Sequence, residues 1–261
     1  MSDVTAVVGL GEVGAPLLRV VQCAGQPAVG IDVDPVRLPA RGSVDVMHIC
    51  FPFEMPDFIG EVVRYIELLE PARTVINSTV AVGTTRSIHE RSGAAVAHSP
   101  VRGKHARMTD ELIAYEKYVG ALDRDVAAAV AEHFEAVGIR TRIVSSPETS
   151  ELAKLTETTY FGLLIAWAQQ LERYSDSLGI DYDEVVSFYE EIEFFPPVRY
   201  EPGIIGGHCV MPNIEILSEL APSPLLDAIR WSNAQKEARE ATPAWSPTPR
   251  SGVEMDGSSQ R

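Results

Sequence analysis

The 261-residue chain is 45% hydrophobic and carries a formal net charge of -15. That is enough apolar content for a sizeable core, and the wrong sign for a nucleic-acid or anionic-membrane partner, which would need a basic face to displace counterions. Three cysteines, Cys23, Cys50 and Cys209, form no paired framework and no zinc-type spacing. Together with a Met-Ser-Asp-Val-Thr start and no apolar run near the ~18 residues of a membrane span, this leads us to expect a soluble, cytoplasmic protein without a metal.

In chain order, Val4 to Val8 is an apolar run of strand type that breaks at Gly9. Gly9-Leu-Gly11-Glu12-Val13-Gly14 comes next, then a helical run from Ala15 to Ala24 and a second strand, Pro27 to Ile31, ending in Asp32. Glycines at this spacing between a strand and a helix, with an acid about 20 residues on, form a dinucleotide fingerprint. Gly9 permits the tight turn, Gly11 lets a pyrophosphate approach the backbone, and Gly14 lets the helix lie close to the strand. The helix then turns its positive end toward the phosphates. Asp32 stands where a carboxylate accepts both ribose hydroxyls, which favours NAD over its 2'-phosphorylated relative. The competing reading is a glycine turn in some other α/β fold.

Further strands are expected at Asp45 to Cys50, Thr74 to Asn77, Ala94 to His98, Lys117 to Gly120 and Arg140 to Val144, with helical patterns such as Asp57 to Leu69 and Arg124 to Val137 between them. This alternation implies parallel strands with helical crossovers, an α/β doubly wound sheet of Rossmann type. Cys50, in an apolar strand, and Cys23, on a short helix, read as core residues. Ligands in such sheets bind beyond the carboxyl ends of the strands. Phe51-Pro52, Asn77-Ser-Thr79 and the segment after His98 are therefore candidate site segments. The last carries Arg102, Lys104, His105 and Arg107, which suits an anionic substrate group or, on the plainer reading, a solvated loop.

Ser146 and Pro147 begin a new element as N-cap and first helical residue. Apolar periodicity then continues to Gly179, a helix of about 30 residues, long enough to link two domains or two subunits. Lys154 and Thr158 share one face near its start. Shorter helices follow at Asp183 to Glu193, Asn213 to Leu220 and Pro224 to Arg239. The organisation is thus 1–146 for the sheet domain, 147–240 for a smaller all-helical domain built on the long helix, and 241–261 for a proline-rich disordered tail. Within the second domain, Glu201 to Asn213 reads as a shaped loop, because its glycines and prolines oppose regular structure. Gly203, Gly206 and Gly207 let backbone amides approach a bound group, and Cys209 is the cysteine set to reach a ligand as a thiolate. His208 beside it reads as a residue of loop shape.

These pieces, in this order, resemble the UDP-glucose/GDP-mannose dehydrogenase family. The resemblance rests on Gly9 to Gly14, Gly30-Ile-Asp32, Ser78-Thr79-Val80 before Gly83, His98-Ser-Pro, Glu151-Leu-Ala-Lys154-Leu and Gly206-Gly-His-Cys209. It implies an NAD-binding Rossmann domain joined to a helical domain whose long helix forms a homodimer, in a short form lacking the family's C-terminal nucleotide-binding domain. It also implies NAD-dependent oxidation of a sugar alcohol to the carboxylate, with Cys209 as nucleophile, Lys154 as oxyanion partner and Thr79 positioning water or substrate. Cofactor contacts are then expected from Gly9, Gly11, Glu12, Val13, Gly14, Asp32, Phe51, Pro52 and Thr79. Substrate contacts are expected from Arg102, Lys104, His105, Gly206 and Gly207.

Three departures matter. Val101 stands where the family commonly has an acid, Thr158 where it has Asn, and Asn213 where it has Asp. Valine cannot take a proton from water, and an amide is a poor base. Two alternatives therefore stay open: a single hydride transfer of hydroxyacid-dehydrogenase type using Lys154, and an NAD-binding regulatory protein without turnover.

Overall fold

The structure, a computed structural model, describes residues 4–32, 38–103, 107–190, 192–193, 200–206 and 209–241. Lys104, His105, Gly207, His208 and the expected disordered tail from residue 242 on lie outside the described residues. The chain forms two compact units, Met1–Tyr160 with Pro212–Pro222, and Phe161–Met211 with the chain from Ser223 on.

The first unit is built on strands β1 (Val4–Val8), β2 (Ala28–Ile31), β3 (Val44–Ile49), β4 (Arg73–Ile76), β5 (Val96–His98), β6 (Lys117–Ala121) and β7 (Thr141–Ile143). They join in the order β2-β1-β3-β4-β5-β6-β7. Strand order reverses at β1, so β1 and β3 flank the point where the carboxyl ends open a crevice. Helices α1 (Gly14–Cys23), α4 (Met108–Ala114) and α5 (Arg124–Ala136) supply apolar side chains to one face of the sheet, where Leu17, Met108 and Phe134 meet Val46, Val75 and Val119. Helices α2 (Phe58–Leu69) and α3 (Thr84–Ser92) supply the other, where Phe58, Val62 and Ile88 meet Val8, Ile49 and Ile76. Both faces are covered, hence the nearly continuous apolar strands.

The sequence implies an all-parallel sheet, and one strand departs from it. β6 runs antiparallel to β5, pairing Ala97 with Ala121 and His98 with Gly120. Among the described residues the connection between them holds one helix, the seven-residue α4, and it starts and ends at the same end of the sheet, so the chain re-enters from the edge it left. The expected core position of Cys23 is also corrected: it ends α1 and is exposed.

Helix α6 (Pro147–Leu178) is one 32-residue element, with the Ser146 hydroxyl accepting from the Thr149 amide at 3.3 Å. Helix α8 begins at Val210 and ends at Leu220, so Met211, Pro212 and Asn213 are helical rather than loop. Proline is tolerated there because the amides of a helix's first turn have no intrahelical acceptor to lose.

In the second unit, α7 (Tyr182–Glu190) packs through Tyr182 and Val186 on Ala168 and Leu171 of α6, and the Tyr182 hydroxyl donates to the Tyr200 carbonyl at 2.7 Å. Helix α9 (Pro224–Glu240) is tied to α6 by the Lys236–Glu172 ion pair at 2.8 Å, with both side chains 5% exposed. Among the described residues no helix is long and apolar enough to cross a membrane, and no cluster of potential metal ligands occurs.

Candidate active site

The glycine loop after β1 is shaped by contact rather than by flexibility. Gly9 has φ of +88°, in the left-handed region that disfavours side chains, and a Cβ there would lie 2.8 Å from the Phe51 backbone nitrogen. A Cβ on Gly14 would fall 1.8 Å from the Gly9 carbonyl oxygen, so turn and helix touch backbone to backbone. At Gly11 nothing lies within 4 Å of the same position. The loop is therefore closed beneath and open above, at the amino end of α1, whose first turn carries no acid. Asp32, at the end of β2, is oriented by the Leu10 amide, which donates to its Oδ2 at 3.3 Å. An open glycine backbone at a helix amino terminus, with a carboxylate one strand away, fits the pyrophosphate and ribose of a dinucleotide. Glu12 and Pro52 are exposed, and Val13 and Phe51 are half-buried, around this opening.

Beyond β3, the Ser78 hydroxyl donates to the Phe51 carbonyl at 2.6 Å, linking the ends of β3 and β4. Phe51 and Phe53 meet Phe58 edge-on, with ring centroids 5.1 Å and 5.3 Å apart. Thr79 is half-buried on the next turn.

The first turns of α6 dock onto the same edge of the sheet. Ser150 Oγ lies 2.7 Å from Nδ1 of buried His98, whose Nε2 faces the Ser78 carbonyl at 3.2 Å. Burial pushes the His98 imidazole down to about 3, so it is neutral and a structural link. Glu151, fully buried, accepts from the Gly83 and Thr85 amides at 2.7 Å and 2.9 Å. It thus caps α3, a different helix from its own. Burial pushes its carboxyl upward, and the two amide bonds oppose that. Lys154, three residues on, shares its side of α6 and pairs with Glu157 at 3.1 Å. Asn213, buried on α8, donates through Nδ2 to Thr158 Oγ1 at 2.9 Å. Thr158 itself lies within reach of the Lys154 and Leu155 carbonyls, at 3.3 Å and 3.1 Å. Thr158 and Asn213 therefore meet in the first unit, which also holds Lys154, while Cys209 and Gly206 belong to the second. Arg102 stands with its guanidinium 5.6 Å from the ring centres of both Tyr115 and Tyr118.

Sequence reasoning missed a buried polar cluster beneath this edge. The Lys117 ammonium donates to Asn77 Oδ1, the Ser99 carbonyl and the Pro100 carbonyl at 3.2, 2.8 and 3.3 Å. Asn77 Nδ2 lies 3.2 Å from His48 Nδ1, and His48 Nε2 lies 3.0 Å from His133 Nε2. Burial pushes Lys117 down to about 7, against the pull of Cys50, and the charge of Lys154 adds to the depression. Cys50 is half-buried against the core, and burial pushes its thiol up to about 12. The available signal was register: His48 occupies the same face of β3 as core residue Val46, where a polar residue demands partners.

Residues 148–237 match the model of the UDP-glucose/GDP-mannose dehydrogenase family, central domain. The match takes in about a third of the chain, from the first turn of α6 into α9. A curated relative among these nucleotide-sugar dehydrogenases, the UDP-N-acetyl-D-mannosamine dehydrogenase of Methanocaldococcus jannaschii, is 24% identical over 251 residues, covering 78% of this chain and 58% of the relative. The chain thus spans under two thirds of that relative's length. A solved UDP-D-ManNAc dehydrogenase of Pyrococcus horikoshii superposes with a TM-score of 0.79 at 20% identity, covering 91% of this chain and 70% of that one. A 3-hydroxyisobutyrate dehydrogenase of Mycobacterium tuberculosis superposes with a TM-score of 0.68 at 19% identity, covering 91% and 94%. At these identities the two structures speak for the fold.

Proposed function

We propose that the chain is an NAD-dependent dehydrogenase that oxidises an alcohol of a sugar or sugar-like anionic substrate, using Cys209 as nucleophile. The observation that carries this is the glycine loop, closed by Gly9 and Gly14 and open at Gly11 before α1, in a chain whose residues 148–237 match the central domain of the UDP-glucose/GDP-mannose dehydrogenases. Gly9, Gly11, Glu12, Val13 and Gly14 would hold the pyrophosphate, Asp32 the adenosine ribose, and Phe51, Pro52 and Thr79 the span beyond. NAD, when bound, accepts a hydride at each two-electron step.

The chain's own residues do the rest. The Lys154 ammonium stabilises negative charge on the substrate oxygen, and Thr79 orients substrate or water. The Cys209 thiolate adds to an aldehyde carbon, giving a thiohemiacetal; loss of hydride leaves a thioester, and water releases the acid and restores the thiol. Cys209 directly precedes α8, and a helix amino terminus favours a thiolate over a thiol. In that scheme Asn213 and Thr158 orient water but take no proton, because Asn213 is an amide whose Nδ2 donates to the threonine. Arg102, Lys104, His105, Gly206 and Gly207 would bind the substrate.

The place of Lys154 early on the long helix α6 supports a second reading, one hydride per turnover with Lys154 as acid or base. Stoichiometry separates them. The first requires two NADH per product and loss of activity in Cys209→Ser; the second requires one NADH with activity retained. NAD binding without turnover on a panel of nucleotide sugars and hydroxyacids would leave a regulatory protein. The homodimer belongs to the same proposal: exposed Trp167, Tyr174 and Leu178 recur at seven- and four-residue steps along α6, a stripe suited to a second copy. So does a cytoplasmic setting.

A further inference from the structure

We infer that Asn233, seated by Gln169 and Ser232, is the positioning residue that holds the Cys209 loop in its reactive shape; the inference rests on the reading of Cys209 as nucleophile. All of these residues belong to the second unit. Asn233 is 3% exposed and all of its amide valences are filled. Its Oδ1 accepts from the Ile205 amide at 2.7 Å and from Gln169 Nε2 at 3.4 Å. Its Nδ2 donates to the Ile205 carbonyl at 3.2 Å and to Glu237 Oε1 at 3.0 Å. One side chain thus imitates a neighbouring β-strand, giving and receiving a bond with a single backbone residue. Only a primary amide of this length does both; a carboxylate lacks the donor and an alkyl group lacks either.

The clamp has a second point. Gln169, 0% exposed, donates to the Gly203 carbonyl at 2.8 Å and is itself fixed by the Ser232 hydroxyl, which donates to its Oε1 at 2.8 Å. Ser232 accepts from Arg173 Nη2 at 3.0 Å, and that guanidinium lies 5.1 Å from the Trp231 ring centre. Ile205 adds an apolar anchor, 3% exposed. From Val210, also buried, the chain is helical. Asn233 therefore fixes the chain at Ile205, four residues before Cys209. A backbone pinned this near a thiol narrows where that thiol can lie, which is how a residue positions it through the chain. A fully satisfied buried network is rigid, whereas loss of one member leaves several polar groups without partners.

The experiment compares wild type, Asn233→Ala and the milder Ser232→Ala, which removes only the hydroxyl that orients Gln169. Three measurements are made on the full chain: hydrogen exchange at residues 203–206, the pH profile of Cys209 alkylation by iodoacetamide read by peptide mass, and turnover with NAD and a nucleotide sugar. We expect Asn233→Ala to speed exchange at Ile205 roughly tenfold. We expect the alkylation midpoint to rise by about one pH unit as the thiolate leaves the helix terminus. We expect kcat to fall on the order of a hundredfold with the KM for NAD unchanged. Ser232→Ala should move each in the same direction by less, and serves if Asn233→Ala does not fold. Faster exchange with an unchanged alkylation profile would overturn the inference, leaving a purely structural network. If Cys209→Ser retains turnover, the thiolate reading fails, while the alkylation profile still judges the clamp.

Discussion

The glycine loop gives the sharpest prediction, because two alanine substitutions three residues apart should fail in different ways. In Gly14→Ala the new methyl would start 1.8 Å from the Gly9 carbonyl oxygen, while real contacts begin near 3.0 Å, so α1 and the turn must separate by more than an ångström. Gly9 cannot yield easily, since it already holds φ of +88° against the Phe51 backbone. Forcing a methyl into close packing costs about 1–3 kcal/mol, and more where both contacts are backbone. For a unit of this size each kcal/mol lowers Tm by roughly 2–4 °C, so a loss of about 3 kcal/mol lowers it by roughly 6–12 °C. Gly11→Ala meets nothing within 4 Å and should melt within about 1 °C of wild type, consistent with an exposed substitution. Its methyl instead occupies the approach of the pyrophosphate, and NAD affinity should fall at least about tenfold, or 1.4 kcal/mol. Thermal melts and an NAD titration by protein fluorescence check both. Equal melting losses in the two variants, or NAD binding unimpaired in Gly11→Ala, would refute the reasoning.

Glu151→Ala removes the acceptor of two buried amide bonds at the start of α3 and should cost about 3–5 kcal/mol in urea denaturation, while Glu151→Gln, keeping one acceptor oxygen, should lose less. Lys117 is neutral above about pH 7 when folded and charged up to its ordinary 10.5 when unfolded. The unfolded chain therefore binds more protons across that window, and wild type should gain stability relative to Lys117→Met as pH rises from 7 toward 9, by about 1.4 kcal/mol per unit at most. Urea midpoints at four pH values test this, and parallel curves would contradict the depressed amine. Lys236→Met, which takes the ammonium from buried Glu172, should cost about 3–5 kcal/mol, and pairing it with Glu172→Leu should restore most of that.

Much of this was legible in residue order. β1 falls on Val4–Val8 as its apolar run implies, and α6 ends at Leu178 before Gly179 as the stop signal requires. Helix α3 was not foreseen, because Thr-Thr-Arg-Ser-Ile-His-Glu-Arg-Ser offers Ile88 alone to a hydrophobic pattern. It forms because tertiary context buries Thr84, Thr85 and Ile88 and because Glu151, distant in sequence, supplies its cap. The reversal of β6 was equally hidden, since strand direction depends on which end of the sheet a connection returns to. The glycine loop could be read because its spacing is itself the geometry. The Lys117 cluster could not, as its members come from separate strands and helices and meet only after folding.

The Glu151 cap also decides where incoming negative charge can settle. Helices α1 and α3 both open at the carboxyl edge of the sheet, and each amino end attracts anions. The protein has plugged the second with a carboxylate of its own, which no diffusing phosphate can displace without unseating α6. An anion arriving at this rim therefore finds α3 already taken by Glu151 and α2 by Asp57, while α1 carries no side-chain cap.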